Sequence, residues 1–521
     1  MATCYEFLHG GVNRDGYIVY YGHKLKMSQF LQDIESFSGA LISLGLTKGD
    51  VVTLYLPTCP QALVAFYACS KLGIIANIIH PLVPVNLLAQ NLQKTGSKAL
   101  MFYDATVKDE RPLTKLNQLL IRCSIADYVN IRKPIYKAYS RLSGKRESGI
   151  ATYVSLLEKG KHIPTELVGK SEDLLCYMHS GGTSGQPKIV MLNNNAFNSV
   201  TDGMFKMYHP NVQVDDFNLA TLPVFHAYGL GSAMHGPLSV GYNLILVPKF
   251  DTKAVKKYLN KYHVTVWSVV PAMLKKMMAN DTFDSKGLAS LDVIWCGGDV
   301  CEESLVERVD GILSKYCARA KLMRGYGLTE ACGVCVVNNY DYAQIGSCGR
   351  PMPGNYVEIW DDDNNTLNDN ELGEIVISGN GVMSGYIEGD DCLVHKNGKT
   401  WVKTGDVGYL DDGYLHIVDR KKRSLKIAAV NVFPSQIEEC VKQLDFVSEA
   451  CAVGVKVDGK QFVKVYVTLC KPTSYEVVKH EVIAICQQNL IRYAVPSFVE
   501  VLEEMPRTDF GKIDFRALEG K

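Results

Sequence analysis

Apolar positions along the first hundred residues recur first at helical and then at strand spacing. Phe30, Ile34, Phe37, Leu41 and Leu44 lie three or four residues apart, which predicts a helix, and Gly45 marks its end. The run Val51-Val52-Thr53-Leu54-Tyr55-Leu56 predicts a buried strand, followed by a helix over 62–71 and a strand over 74–79. The same alternation returns with strands over 243–247, 264–269 and 293–296, separated by helices such as 254–262. Short apolar strands alternating with helices predict an α/β fold of mostly parallel, helix-covered sheets.

After about residue 340 the texture changes. Turn-rich stretches such as Asp361-Asp362-Asp363-Asn364-Asn365 and Asp411-Asp412-Gly413 separate short strands, which predicts a small β-rich, barrel-like region. Beyond Arg420 the pattern reads as a compact α+β unit. Its helix starts at Pro434, a residue suited to a first helical position, and strands over 450–455 and 463–469, a helix over 476–490 and a strand over 498–502 complete it. We therefore expect a large N-terminal domain over 1–420 and a small C-terminal domain over 421–521, divided at Asp419-Arg420-Lys421-Lys422-Arg423.

A chain of 521 residues exceeds one ordinary domain, which agrees with this division. Lysine plus arginine equals aspartate plus glutamate at 55 each, so no global charge draws the chain to nucleic acid. The first residues lack a basic segment followed by an apolar run, so no signal peptide is expected. The stretch 63–88 is broken by Lys71, Asn77, His80, Pro81 and Pro84 and reads as a buried helix–strand pair rather than a membrane span. Sixteen cysteines without regular spacing read as reduced thiols serving as small apolar residues, and the expected compartment is the cytoplasm.

One segment stands out chemically: Ser180-Gly181-Gly182-Thr183-Ser184-Gly185-Gln186-Pro187-Lys188. Its three glycines let backbone amides approach a polyanion, its hydroxyls add donors, and Lys188 adds a positive charge. A Gly/Ser/Thr cluster is more often a plain surface loop. Here it lies between two apolar strand-like runs, 174–178 and 189–192, and ends in Pro-Lys, so phosphate binding is the reading we carry. The Gly-Lys-Ser/Thr nucleotide loop that opens a helix is excluded, because Lys188 follows a proline and precedes a strand.

This loop resembles the phosphate loop of the adenylate-forming superfamily of acyl-CoA synthetases, and further motifs match in order. Leu222-Pro223-Val224-Phe225-His226 resembles the acyl-site motif and Arg324-Gly325-Tyr326-Gly327-Leu328-Thr329-Glu330 the nucleotide motif. Thr404-Gly405-Asp406, Asp419-Arg420 and Pro506-Arg507-Thr508-Asp509-Phe510-Gly511-Lys512 match the rest. The resemblance covers nearly the whole chain. It implies that carboxylic acid and MgATP give acyl-AMP and pyrophosphate, and that coenzyme A then takes the acyl group. ATP, Mg²⁺ and coenzyme A are the implied cofactors.

On the same resemblance Tyr326 faces adenine with Gly325 and Gly327 leaving room beside it, and Gly298 and Asp299 run along the adenine and acyl pocket. Thr329 donates to the α-phosphate, and Glu330 is an oxygen ligand for Mg²⁺. Asp406 takes the ribose hydroxyls, Arg420 contacts the nucleotide and His226 pairs with the carboxylate or gates its pocket. Lys512 bridges the carboxylate and the α-phosphate, where one anion must approach another. Lys422 is the hinge of a mobile C-terminal domain that exchanges the Lys512 face for one that admits the thiol. Lys426 and Ala429 lie on the CoA tunnel, and Ala429 replaces the glycine usual there, where a methyl group would narrow the path of the pantetheine or shift the backbone.

Other readings compete. A stand-alone enzyme loading a carrier protein uses the same first step. Amino-acid-activating relatives carry an aspartate after the aromatic of the acyl-site motif, whereas this chain has Phe225-His226, which favours a fatty or aromatic acid. A non-catalytic nucleotide sensor is expected to lose Lys512 or Glu330, and both are present. Cys332-Gly333-Val334-Cys335 has redox or metal-like spacing, but no second pair lies at zinc spacing, so we read small residues lining the acyl pocket. The basic run over 131–146, with Arg132, Lys133, Lys137, Arg141, Lys145 and Arg146, reads first as a solvated helix-loop and second as weak peripheral contact with an anionic membrane. A monomer and a homodimer are both compatible with the sequence.

Overall fold

The computed structural model describes residues 2–116, 118–129, 146–180, 188–208, 210–341, 343–389, 392–427, 430–457, 460–507 and 513–519. The chain divides into two compact units. The first holds Met1–Val357 and Ile377–Val402, and the second Glu358–Val376 and Lys403–Lys521.

The first unit contains two large sheets. In one, Ile75–Ile78, Val51–Tyr55, Ser97–Tyr103, Leu119–Cys123 and Ala151–Thr152 run parallel in that order. Leu174–Ser180 extends this sheet in parallel, and Lys188–Asn193 and Gly385–Tyr386 extend it antiparallel. In the other, Tyr17–Tyr20, Asn243–Leu246, Phe217–Ala220, Val264–Val269, Val293–Cys296 and Leu322–Tyr326 run parallel. Every residue of Val264–Val269 and Val293–Cys296 is buried, as strands covered on both faces must be.

The helices arise where the spacing predicts them. Met27–Ser43 buries Phe30, Ile34, Phe37 and Leu41, and Gly45 leaves it at φ +80°. Pro60–Leu72 starts on a proline, whose missing N–H costs nothing at a first turn, and ends on left-handed Gly73. The helix expected over 254–262 runs over Thr252–Lys261 instead. Asp251 moves its start, because the carboxylate accepts the Ala254 amide at 2.7 Å and caps the first turn.

The second unit carries the expected α+β piece. Val447–Val457 pairs antiparallel with Lys460–Leu469, which pairs parallel with Phe498–Val501. Helices Pro434–Val441 and Tyr475–Asn489 bury Ile437, Val478, Val482 and Cys486 with Val463, Val465 and Val467. Before it, the antiparallel hairpin of Lys399–Asp411 and Tyr414–Arg420 sets Asp406 opposite Arg420. Among the described residues no helix is long and apolar enough to cross a membrane.

The basic run lies outside the described residues over 131–145, and its last member departs from expectation. The Arg146 guanidinium is mostly buried, 3.0 Å from the fully buried Glu110 carboxylate, and donates to the carbonyls of Val107 and Asp104. A solvated charge was expected there. Glu110, already paired with Arg122 at 2.5 Å, holds Arg146 in the fold as a second counter-ion, so that side chain is not available to a membrane surface.

Candidate active site

The two strands around the serine-glycine loop form an antiparallel pair in which Ser180 lies opposite Lys188, so the loop leaves and re-enters one sheet edge. Gly181, Gly182, Thr183, Ser184 and Gly185 lie outside the described residues. The strand that leads into the loop is anchored from below. His179 Nε2 donates to Asn77 Oδ1 at 3.1 Å, because the Asn77 amide nitrogen is already a donor to Thr53 Oγ1 (2.8 Å) and Asn91 Oδ1 (2.7 Å). Burial pushes the His179 imidazole down to about 4, so it stays neutral and keeps this donor role.

Lys188 opens the second strand, and its ammonium sits 4.1 Å from the centroid of the Tyr386 ring. The Tyr386 hydroxyl donates to Glu330 Oε1 at 2.8 Å. Burial, and then the Glu330 charge, push that phenol far up, so it remains a donor throughout the working pH range. The Glu330 backbone is held as well, since its carbonyl accepts the Met383 amide at 2.9 Å. Lys188, Tyr386 and Glu330 therefore form one connected group, with Thr329 beside it on the short turn Thr329–Ala331.

The nucleotide-motif strand Leu322–Tyr326 leads to this turn through a tight passage. A Cβ on Gly327 would lie 2.3 Å from the Gly333 carbonyl oxygen and 2.6 Å from Val334 Cα, so only glycine fits. Gly325, Tyr326 and Gly327 line a narrow cavity with Tyr228, Trp295, Cys296, Gly297 and Gly298. Met204, Gly333, Val334 and Val337 complete a lining without a charged side chain. Its free volume is about 10 Å³, little more than one water centre. The Tyr228 hydroxyl donates to the Trp295 carbonyl at 3.1 Å and so crosses the cavity wall. Gly298 takes φ +79° at the turn, and Asp299 is exposed beyond it.

The acyl-site motif is positioned by a distant residue: the Val224 amide donates to Thr58 Oγ1 at 3.0 Å. The Phe225 ring lies 4.4 Å from that of His80 and 5.9 Å from that of His226. His226 is exposed rather than packed in the core, and it is not among the residues lining the narrow cavity. The Cys332–Cys335 segment splits. Gly333 and Val334 line the cavity, whereas both sulfurs are buried, with Cys335 against the Tyr326 carbonyl at 3.5 Å. Cys332 and Cys335 are thus corrected to core residues, because the outward turn at Gly333 presents the residues between them.

In the second unit Asp406 is buried, and Arg420 Nε lies 2.7 Å from its Oδ1. The segment carrying Asp406 is fixed by Thr404 Oγ1 donating to the Ile375 carbonyl (2.7 Å) and by the Gly405 amide donating to Glu374 (3.2 Å). The charged run is not a plain solvated linker. Lys421 pairs with Glu374 at 3.0 Å and Asp362 at 2.9 Å, Arg423 pairs with Glu438 at 2.5 Å, and Lys422 between them is exposed. Lys426 lies on the short strand Leu425–Ile427. Ala429 and Lys512 lie outside the described residues.

The donor set fits Mg²⁺ better than a metal held by protein alone. No cluster of three or more His, Cys, Asp or Glu side chains that could hold a metal exists among the described residues. A single positioned carboxylate is the usual protein share of a magnesium site completed by phosphates and water. Sequence reasoning missed Tyr386, His179, Asn77 and Thr58. Each acts through a partner 56 to 166 residues away, so no local spacing marks it.

The family model described as AMP-binding enzyme matches residues 12–387, and that of the AMP-binding enzyme C-terminal domain matches 436–512. The chain is 28% identical over 517 residues to a long-chain-fatty-acid–CoA ligase of Bacillus subtilis (strain 168), covering 96% of this chain and 90% of that one. It is 30% identical over 499 residues to a long-chain-fatty-acid–CoA ligase of Escherichia coli O157:H7, covering 91% and 86%. Among solved structures, a benzoate CoA ligase from Burkholderia xenovorans LB400 superposes with a TM-score of 0.82 at 19% identity, covering 99% of this chain and 100% of that one.

Proposed function

The chain belongs to the AMP-binding enzyme family, and on that premise we propose that it joins a carboxylic acid with an uncharged apolar or aromatic tail to coenzyme A. It is an acid–thiol ligase that uses ATP, Mg²⁺ and coenzyme A. The observation that carries the reading is the group Lys188–Tyr386–Glu330, a cation and a carboxylate fixed through one tyrosine at the root of the serine-glycine loop.

In the first half-reaction a carboxylate oxygen attacks the α-phosphorus in line, the O–P bond forms, and pyrophosphate departs. In the second, the thiol sulfur attacks the acyl carbonyl carbon, its proton is lost, and AMP departs. Lys188 and the loop would hold the phosphates. Tyr386 would keep the Glu330 carboxylate aimed at the Mg²⁺, whose bound charge offsets that building up on the phosphates. Tyr326 offers its face to adenine, and Asp406, its charge offset by Arg420, accepts ribose hydroxyls. Lys512 supplies the charge that lets one anion approach another. Lys422, exposed between two anchored neighbours, is the pivot for the change between half-reactions.

The acid is read from the acyl-site motif, where Phe225-His226 stands in place of the aspartate that would pair with a substrate ammonium, so a fatty or aromatic tail fits best. The direct test is a panel of fatty and aromatic acids in ATP–pyrophosphate exchange, repeated with coenzyme A. Exchange with apolar acids and formation of their acyl-CoA is expected. Exchange without any acyl-CoA would point to a carrier protein as acceptor, and no exchange with any acid would refute adenylation. Lys512→Ala should lose about 100-fold or more in exchange while keeping ATP affinity.

A further inference from the structure

Strand His23–Lys26 closes one edge of the second large sheet and pairs antiparallel with Tyr17–Tyr20, which pairs in turn with Asn243–Leu246. Residues opposite each other in an antiparallel pair share a face, so Lys24 lies on the side of Val19 and Lys26 on the side of Tyr17. That side is covered by helix Thr252–Lys261, because Val19 and Ile245 bury with Val255 and Leu259 in one core cluster. The helix turns Thr252, Val255 and Leu259 inward and carries Lys253, Lys257 and Lys261, four residues apart, on its exposed outer side. Lys249, also exposed, joins this row from the turn that leads into the helix.

The stretches 17–26 and 247–262 together hold seven lysines, no arginine and one acid, Asp251, whose carboxylate caps the helix. The whole chain balances its charges at 55 each, so this face is a local concentration of positive charge. Lys24 and Lys261 lie over the rings of Tyr17 (4.6 Å) and Tyr262 (5.2 Å). Among the described residues no ion pair joins Lys24, Lys26, Lys249, Lys253, Lys257 or Lys261 to a carboxylate. At the hairpin tip between Tyr17–Tyr20 and His23–Lys26, Tyr21 is 50% exposed and held at φ +49°. A left-handed backbone is costly for a bulky residue, yet here it holds an aromatic ring out to solvent, edge-on to Tyr20 at 4.8 Å.

We propose that this face docks on an anionic phospholipid surface, with its lysines over the headgroups and Tyr21 at the boundary between water and lipid. The lysines select this partner. Protein interfaces are depleted in lysine and enriched in arginine, and nucleic-acid bases are read through the planar arginine fork. Neither matches seven lysines without an arginine. A lipid surface is a diffuse layer of negative charge, which point charges on flexible stems meet without fixed geometry. A tyrosine ring, apolar in body and polar at its tip, suits the membrane interface. Among the described residues no helix is long and apolar enough to span a membrane, so the contact is peripheral. Docking would hold the enzyme where apolar acids dissolve; that consequence rests on the function proposed above, whereas docking itself does not.

The test is co-sedimentation of the full-length protein with vesicles of equal parts phosphatidylserine and phosphatidylcholine, against phosphatidylcholine alone. Binding to the mixed vesicles alone is expected, with release at high salt as the Debye length shrinks. Each lysine near an anionic bilayer strengthens binding about fivefold, so Lys253→Gln, Lys257→Gln and Lys261→Gln together should weaken it about 100-fold. ATP–pyrophosphate exchange in solution should stay at the parental rate in that variant. Lys108→Gln, Lys115→Gln and Lys159→Gln, which remove the same charge at exposed sites elsewhere, should keep the parental binding. Tyr21→Trp should add emission that brominated lipids quench. Equal losses in the two triple variants, equal binding to phosphatidylcholine alone, or no quenching at position 21 would overturn the proposal. Tighter binding to duplex DNA than to the mixed vesicles would assign the face to nucleic acid instead. These readouts need no substrate, so they succeed or fail independently of the ligase reaction.

Discussion

Replacing Tyr386 by phenylalanine deletes one oxygen atom and leaves the ring in place. The oxygen lost is the donor 2.8 Å from Glu330 Oε1, while the ring face that Lys188 approaches at 4.1 Å remains. A hydrogen bond to a charged group contributes about 1.5–3 kcal/mol, and Glu330 is buried enough that water replaces the donor poorly. Removing a side chain that orients a metal-ligating carboxylate costs about 10–100-fold in metal affinity or activity, or about 1.4–2.7 kcal/mol. The two estimates agree, so Tyr386→Phe should lower kcat/KM for adenylation about 10–100-fold. The Mg²⁺ concentration for half-maximal exchange should rise with it. Tyr386→Leu, which also removes the face beneath Lys188, should lose a further factor of about 2–5, for a cation–π contact of about 0.5–1 kcal/mol. Exchange kinetics across a magnesium titration, with Mn²⁺ binding followed by electron paramagnetic resonance, separate the two. If Tyr386→Phe stayed within twofold of the parent at every magnesium concentration, Glu330 would not need its tyrosine and the group would be structural.

Three further outcomes follow from local geometry. Gly327→Ala places a Cβ 2.3 Å from the Gly333 oxygen, so the Thr329–Glu330 turn must shift, and a displacement near 1 Å costs about 100-fold in adenylation; exchange at parental rate would show that the passage is not tight. Burial lowers the His179 pKa from 6.5 to about 4, so between these values the unfolded chain binds a proton that the folded chain refuses. This part of stability is intact above pH 6.5 and is lost on acidification at about 1.4 kcal/mol per pH unit, or about 3 kcal/mol by pH 4. His179→Phe should flatten the urea midpoint against pH by that amount, and an unchanged slope would refute it. Ser435 Oγ donates to the Val418 carbonyl at 2.5 Å and its amide to Asp419 Oδ2 at 2.9 Å, tying helix Pro434–Val441 to the strand on the other side of Lys422. Ser435→Ala should loosen this tie by about 1 kcal/mol and raise thiol transfer relative to adenylation about fivefold in single turnovers; an equal change in both half-reactions would argue against a pivot at Lys422.

The sequence carried the order of elements well, because helix and strand periods are local properties. Phe30, Ile34, Phe37 and Leu41 face one core from one helix, and Gly45 ends it, without reference to any other part of the chain. Motif positions were legible for a related reason. Gly327 is needed by contacts only six and seven residues away, so its requirement shows in the local string. The serine-glycine loop was equally visible from the sequence. What stayed hidden was which distant side chain completes each site residue. Arg146 read as one more charge in a basic run, and only the fold reveals Glu110 as its partner.

Charge runs and thiols show why composition misleads at such points. Asp419 to Arg423 resembles a solvated linker, yet Arg420 meets Asp406, Lys421 meets Glu374, and Arg423 meets Glu438. Each pair ties the run to another part of the second unit, and Lys422 stays exposed among them. Such pairing is a property of the fold that no count of lysines contains. The cysteines divide by the same logic. Cys332 and Cys335 have the spacing of a reactive pair, yet both are buried and burial pushes both thiols up. Cys317 and Cys470, by contrast, are exposed. Burial, read from the fold, separates the thiols where the interval between cysteines does not.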